Sequence, residues 1–580
     1  MTTTADISEL IWSSRYRGAD RDGMPDDSIA ATWSRVARSV ASVESESQKW
    51  QQRFESVLEG FRFLPGGRIL AGAGLGKDVT LFNCFVAGQL VDSLDGILES
   101  LKETAITMQH GGGIGLDFSP LRPSGSAAIR TGATASGPVS FMHVWDSMCE
   151  TLLATGRRRG AMMATLRCDH PDIEAFIDAK RDQDALHNFN LSVLITDDFL
   201  QAVDEDREWT LVYPAGGDPL VEKRIPAGKL WRHIVESALE TAEPGLLFVD
   251  TINCENNLWY CESISATNPC GEVPLPAYGA CDLGSINLAA AVSSPFSDDA
   301  AIDHESLQRL SETAVRFLDD VIDLSRYPLE RQAAQARHTR RIGLGITGLG
   351  DALAMLGLHY DSDAARSVAA DVMRTIRDSA YRASIALARE KGAFPAFDAG
   401  RYCEAPFIRR LPGELREALA RHGMRNSHVL SIAPAGTISL LAGNVSSGIE
   451  PIYALEGVRS VRDATQHMRE IAVEDFALRQ WREKCPADSV PPECFVTAEA
   501  LGGGAHLAMQ ASLQPCVDNA ISKTITLSPG ATTETVDDVF RGAHAKGIKG
   551  CTVFRPGSMR GQVIRTRDES HCCGVERECD

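Results

Sequence analysis

The sequence predicts a mixed α/β fold, on three observations. Apolar residues make up 44% of 580 positions, enough to bury a large core. Two stretches carry apolar side chains at helical spacing: Ile97, Leu98, Leu101, Ala105 and Met108, and then Leu307, Leu310, Ala314, Phe317, Leu318 and Val321. Between and after them lie strand-like runs that end in turn residues, as where the apolar run His428 to Ala433 breaks at Pro434-Ala435-Gly436. Length alone suggests roughly four domains, but large barrels fold as single units, so that count is soft.

Charge narrows the function. A net charge of −20 with no polybasic tail argues against a nucleic-acid surface, so an anionic ligand must be held by local arginines and backbone amides. No window approaches the roughly eighteen apolar residues of a membrane helix, and the N-terminus lacks a signal-peptide pattern. These features predict a soluble cytoplasmic protein without a membrane partner. Fifteen cysteines without a secretion signal are not a disulfide scaffold. Cys149, Cys168, Cys254, Cys261, Cys403, Cys485, Cys494, Cys516 and Cys551 carry no motif and are read as structural.

In chain order, residues 1–62 read as a polar, helical lead-in that turns at Pro65, Gly66 and Gly67 into the main body. Asp92-Ser93 opens the first amphipathic helix as a cap, and Arg122 follows in SPLRPSGS, where a surface salt bridge is the ordinary expectation. The run Gly111-Gly112-Gly113-Ile114-Gly115 suits a packing hinge or a ligand-approach loop. Arg157, Arg158 and Arg159, adjacent in so acidic a chain, favour an anion site over a solvated turn. RIGLGITGLGDAL is read as close helix packing, because no βαβ unit with a downstream acid follows it. Pro434, Ala435, Gly436, Thr437, Ile438 and Ser439 form a strand-to-helix turn whose free amides, dipole and hydroxyls suit a phosphate. An ordinary capped helix fits the same residues. The polar tail ends in Cys572, Cys573 and Cys579, a mobile dithiol or, with His571, a zinc site.

The chemistry concentrates in Asn268-Pro269-Cys270-Gly271-Glu272. In an extended or tightly looped segment the amide, the sulfur and the carboxylate share one side. A thiol beside a carboxylate is not the electropositive setting that makes a thiolate nucleophile. A thiyl radical carries no charge, so Glu272 does not disfavour it and is free to act as a general base.

NPCGE, followed by GACDLGSINL and preceded by LFNCFV, resembles the catalytic subunit of ribonucleotide reductases, over residues 63–558. The resemblance implies that Cys270 becomes a thiyl radical, that Cys84 and Cys281 supply reducing equivalents, and that Asn268 and Glu272 assist. It implies a ten-stranded α/β barrel of two five-stranded halves over 63–560, with the NPCGE loop threading its centre, and a redox tail over 561–580. Asn83, Gly112 and Gly113 would line the substrate pocket, and the 434–439 turn, PTGTIS-like but for Ala435, would hold the substrate phosphates. Asp92, Ser93 and Arg122 would bind a deoxynucleotide effector at a homodimer interface, with Arg158 and Arg159 on the segment that relays effector identity. DNAISKTITL and KGIKGCTVFRPGS match the last barrel strands. There Val553-Phe554 stands where iron-dependent members carry radical-conducting tyrosines, and no glycyl-radical motif ends the chain. Both features point to the class using adenosylcobalamin, whose cobalt–carbon bond homolyses to a deoxyadenosyl radical. No ATP cone, and hence no dATP off-switch, is expected. The implied reductant is of thioredoxin or glutaredoxin type, and the substrates are diphosphates. The rivals are the large subunit of a metal-dependent reductase with a radical-generating partner, and a non-catalytic nucleotide-binding regulator.

Overall fold

A computed structural model describes residues 7–19, 25–76, 79–127, 134–153, 161–182, 185–216, 219–462, 468–486, 489–558 and 564–565. The lead-in is helical as expected, over Ile7–Ile11, Ile29–Ala41 and Ser47–Leu58. Ser28 caps the second helix by accepting from the Ala31 amide. The second and third helices pack on the long helix His304–Leu324, whose predicted stripe from Leu307 to Val321 is buried. Arg316 on that helix donates to Glu44 at 2.8 Å, joining the two regions through a nearly buried ion pair.

The body is built on a ten-stranded sheet. Strands Cys84–Val86, Gly113–Asp117, Met162–Arg167, Phe189–Ile195 and Gly245–Phe248 run parallel to one another in that order. Most of their residues are buried on both faces, which is why they read as apolar runs rather than alternating ones. A second parallel set begins with Ala280–Asn287 beside Ile342–Thr347 and ends with Thr524–Thr526 beside Gly550–Phe554. Bridges Leu344 to Leu430 and Ile432 to Ile521 carry parallel hydrogen bonding between those two pairs. The two sets meet antiparallel, where Cys84 faces Cys281 and where Cys551 faces Leu246. This is the expected arrangement of two parallel halves, with five strands in the first and four strands plus the bridged segment 428–433 in the second; the tenth strand of the sheet is Phe63–Pro65, antiparallel to Ala280–Asn287. The expected strand from His428 to Ala433 survives only as those isolated bridges.

Layering follows from side-chain size. Outward residues such as Ile114, Leu116, Leu191 and Val193 join the main core against the helices. Inward positions include small residues such as Gly113, Gly115 and Thr165, and the hairpin Ala266–Thr267 with Pro274–Leu275, whose loop spans 268–273, lies on that side. Ala266, Val273 and Leu275 of that hairpin form their own cluster with Cys84, Val86, Cys281 and Leu283. A Cβ on Gly115 would sit 1.8 Å from the Thr267 carbonyl oxygen, so the hairpin backbone lies directly on this strand. RIGLGITGLGDAL is close packing as read, but of a strand, Ile342–Thr347, before the helix Leu349–Met355. A Cβ on Gly345 would meet the Ser431 carbonyl oxygen at 2.3 Å.

The helix Leu94–Gln109 departs from the usual pattern. Its buried residues are Ile97, Ser100, Thr104 and Thr107. Trp145 Nε1 and Gln332 Nε2 donate to the hydroxyls of Thr104 and Thr107, so two of the polar side chains on the inner face are held by hydrogen bonds. Of the predicted stripe only Ile97 is buried, while Leu101, Ala105 and Met108 are half-buried. The apolar seam lies outside, where Val91, Leu94 and Leu98 are 61%, 65% and 49% exposed and Val144 of the neighbouring helix is 42% exposed. Among the described residues no helix is long and apolar enough to cross a membrane.

Candidate active site

The loop at 268–273 is a tight turn in which the Gly271 amide donates to the Asn268 carbonyl and the Val273 amide to Asn268 Oδ1, at 3.1 and 3.0 Å. Gly271 takes φ +84°, a conformation that disfavours any side chain. Asn268 and Glu272 flank the turn at 1% exposure, and Cys270 at its tip is half-buried.

Both flanking side chains converge on Cys84. Asn268 Nδ2 donates to Cys84 Sγ at 3.2 Å, and Cys84 Sγ lies 3.7 Å from Glu272 Oε1, a thiol-length hydrogen bond. Cys281 stands directly opposite Cys84 across the antiparallel seam. Opposed residues in such a pair have Cβ atoms about 4.5–5.5 Å apart, so a small shift brings the sulfurs to bonding distance.

Burial sets the protonation states. It pushes the Cys84 thiol well above the usual range, helped by the Glu272 charge and by Cys281. Burial and then the neighbouring Asp282 do the same to Cys281. Burial lifts the Glu272 carboxyl to about 7, against hydrogen bonds that hold it down. The site therefore offers two neutral thiols and one acid poised to gain or lose a proton near neutral pH. It does not offer a thiolate nucleophile. Glu272 Oε2 and Asn83 Oδ1 are buried with no hydrogen-bond partner among the described residues, as expected of atoms that await a ligand.

The glycine run packs closely, one of the two roles its sequence suits. A Cβ on Gly113 would meet Pro269 Cγ at 3.1 Å, and one on Gly112 would meet Phe85 at 2.6 Å. The amides of Gly112 and Gly113 donate to Thr107 and Asn83 carbonyls. These glycines seat the hairpin.

In the 434–439 turn, the helix Gly436–Leu441 is short, Thr437 and Ser439 are buried, and Pro434 and Gly436 are half-buried. The Ala435 amide donates to Ser447 Oγ at 2.7 Å, and Ser439 Oγ donates to the Gly436 carbonyl. The first-turn amides of Gly436, Thr437 and Ile438 have no carbonyl four residues back within the helix.

Away from the hairpin, Arg122 Nε donates to Asp92 Oδ2 at 2.7 Å and the Arg122 amide to Asp92 Oδ1 at 3.2 Å. Ser93 Oγ accepts from the Gly96 amide as a helix cap. Tyr213, which the sequence did not single out, donates its hydroxyl to Asp92 Oδ2 at 2.9 Å. Asn190 and Ser431 were missed as well: Asn190 Nδ2 donates to the Pro269 carbonyl, and Ser431 Oγ donates to the Glu272 carbonyl. Arg157, Arg158, Arg159, His571, Cys572, Cys573 and Cys579 lie outside the described residues.

Among the described residues no group of three histidines, cysteines or acids could hold a metal. Of the cysteines read as structural, Cys149, Cys168, Cys516 and Cys551 are buried, whereas Cys254 and Cys261 are exposed. Val553 is buried on the outward face of its strand, and half-buried Phe554 alternates with it. A Cβ on Gly271 would meet nothing within 4 Å, so open space borders the tip that carries Cys270.

The chain matches the family models for the ribonucleotide reductase barrel domain over residues 82–554 and all-alpha domain over residues 4–78. It is 40% identical over 577 residues to a protein of Mycobacterium tuberculosis CDC 1551 called vitamin B12-dependent ribonucleoside-diphosphate reductase, covering 95% of this chain and 79% of that one. A protein of the same name from Thermoplasma acidophilum is 38% identical over 556 residues, covering 93% and 69%. A vitamin B12-dependent ribonucleotide reductase of Streptomyces coelicolor is 27% identical over 558 residues, covering 84% and 57%.

Proposed function

The chain belongs to the ribonucleotide reductase family, and from that premise we propose that it reduces ribonucleoside diphosphates to 2′-deoxyribonucleotides by thiyl-radical chemistry with adenosylcobalamin. The observation that carries the reading is the meeting of Cys84, Cys281, Asn268 and Glu272 beneath the tip that bears Cys270.

The tip suits the cofactor: Cys270 is only half-buried, and the space beside Gly271 is open. Cys270 and Gly271 would border the bound group. No tyrosine pair stands at 553–554 to carry a radical from a second subunit. Bound adenosylcobalamin supplies homolysis of a cobalt–carbon bond, and with it the means to remove hydrogen from a thiol.

Once its hydrogen is lost, Cys270 takes the 3′ hydrogen of the ribose. Glu272, titrating at about 7, accepts the 3′-hydroxyl proton. Cys84 and Cys281 remain thiols because burial disfavours their anions, so the pair holds the proton with which the 2′ hydroxyl departs as water. The same pair gives two electrons to the sugar and ends as a disulfide. Cys270 then returns its hydrogen to C3′. Asn268 orients Cys84 and the nucleotide, and Asn83 Oδ1 and Glu272 Oε2 are buried atoms free to bind it. The first turn at Gly436–Ser439 takes the substrate phosphates.

Deoxynucleotide effectors bind where Asp92, Ser93 and Arg122 cluster, with Arg158 and Arg159 relaying effector identity. The chain pairs with a second copy through the seam of Val91, Leu94, Leu98 and Val144, since Leu94 and Leu98, one helical turn apart, and the exposed Val91 and Val144 suit a facing helix. A thioredoxin- or glutaredoxin-type protein renews the Cys84 and Cys281 dithiol by way of the C-terminal cysteines. The test is turnover of a ribonucleoside diphosphate by the purified chain with adenosylcobalamin and dithiothreitol, in air and without a second protein. Deoxynucleotide formation supports the reading; nucleotide binding without product overturns it.

A further inference from the structure

We infer that Asn190 is a positioning residue that holds the Cys270 tip in register with the ribose. The inference rests on the reading of Cys270 given above.

Asn190 lies on the strand Phe189–Ile195, where Phe189, Leu191, Val193 and Ile195 belong to the outer core. Alternation along a strand then turns Asn190 into the barrel. Its Nδ2 donates to the Pro269 carbonyl at 2.7 Å. That carbonyl belongs to the peptide joining Pro269 to Cys270, so the bond fixes the plane from which the Cys270 side chain projects. Downstream, the Glu272 carbonyl accepts from the Ala520 amide and from Ser431 Oγ, each at 2.9 Å. Three residues thus hang between an anchor from the first half of the barrel and two from the second.

Within the tip the Gly271 amide donates to the Asn268 carbonyl, closing the turn on itself. Gly271 between the anchors has nothing within 4 Å of where a Cβ would sit, and on the upstream side the Pro269 ring rests on Gly113. A ring lying on a glycine limits approach but does not set rotation of the peptide; the directional hydrogen bond from Asn190 does. Hydrogen transfer from carbon to sulfur is sensitive to such placement, because a misplacement of about 1 Å can cost roughly a hundredfold in rate.

The test compares wild type with Asn190→Leu, which keeps the approximate volume and removes the donor. With a 3′-deuterated substrate, the variant is expected to lose about a hundredfold in kcat, to keep KM within about twofold, and to show a larger isotope effect as hydrogen transfer becomes limiting. In the cofactor-free protein, the rate at which iodoacetamide alkylates Cys270, followed by mass spectrometry, should change while alkylation of Cys254 does not. Unchanged kcat and isotope effect would overturn the inference. So would a variant whose kcat, KM and melting temperature fall together with Cys270 alkylation unaltered, since that marks general misfolding. Cys270→Ser is the control: turnover there defeats the reading of Cys270 itself, whereas an inactive Cys270→Ser beside a normal Asn190→Leu defeats only the role of Asn190.

Discussion

Glu272→Gln is the sharpest perturbation, because it should stabilise the protein while disabling it. Glutamine keeps the shape of the side chain and an acceptor for the Cys84 thiol, but it cannot exchange a proton. In the folded chain burial lifts the carboxyl to about 7, against an ordinary value of 4.5. The sign follows from linkage. Between those two values the folded state holds a proton that the unfolded state has released, so stability falls as pH rises through this window. A gap of about 2.5 units at about 1.36 kcal/mol each makes a cost of about 3 kcal/mol, fully present above pH 7 and absent below about 4.5. Glu272→Gln should therefore melt at a higher temperature than wild type at pH 8 and at a similar temperature near pH 4.5, as read by differential scanning fluorimetry. Its kcat should fall by about 10²- to 10⁴-fold, the usual range for losing a general acid–base. The wild-type rate should show a limb near pH 7 that the variant lacks. A variant less stable than wild type at pH 8, or one that turns over normally, would refute the reasoning.

Other substitutions probe the remaining parts. Gly115→Ala would drive a methyl into the Thr267 carbonyl, at a built distance of 1.8 Å. It should displace the hairpin, lower kcat by about a hundredfold and lower stability by about 1–3 kcal/mol, measured by turnover and by urea unfolding. Leu98→Glu puts a charge into the exposed seam and should convert a dimer to monomers in light scattering, with loss of effector response. Cys84→Ser and Cys281→Ser should each abolish multiple turnover. With wild type, a single turnover without reductant should consume two titratable thiols, whereas either variant should consume none.

The chemistry was legible in the sequence where it is compact. Asn268, Cys270 and Glu272 lie within five residues, and the loop brings the amide and the acid together on Cys84. The two parallel halves could be expected only through the resemblance, since pattern alone gave mixed α/β. What escaped depends on partners far along the chain. The glycine run reads equally as hinge or ligand loop until Pro269 and Thr267, some 150 residues later, are seen to lie on it. Tyr213 and Asn190 are single polar residues in strands, and only the fold brings them to Asp92 and to the Pro269 carbonyl. The stripe on Leu94–Gln109 was visible, but periodicity does not say which face is inside. There the inner face carries Ser100, Thr104 and Thr107, and Leu94 and Leu98 are exposed.

The central claim is that the Cys270 sulfur exchanges a hydrogen atom with the bound cofactor. Adenosylcobalamin tritiated at its cobalt-bound carbon, incubated with the chain and an effector, measures this directly, because a thiol passes its hydrogen to water. Wild type should release tritium to solvent. Cys270→Ser should bind the nucleotide and the cofactor as before and release none; release from that variant at the wild-type rate would contradict the account.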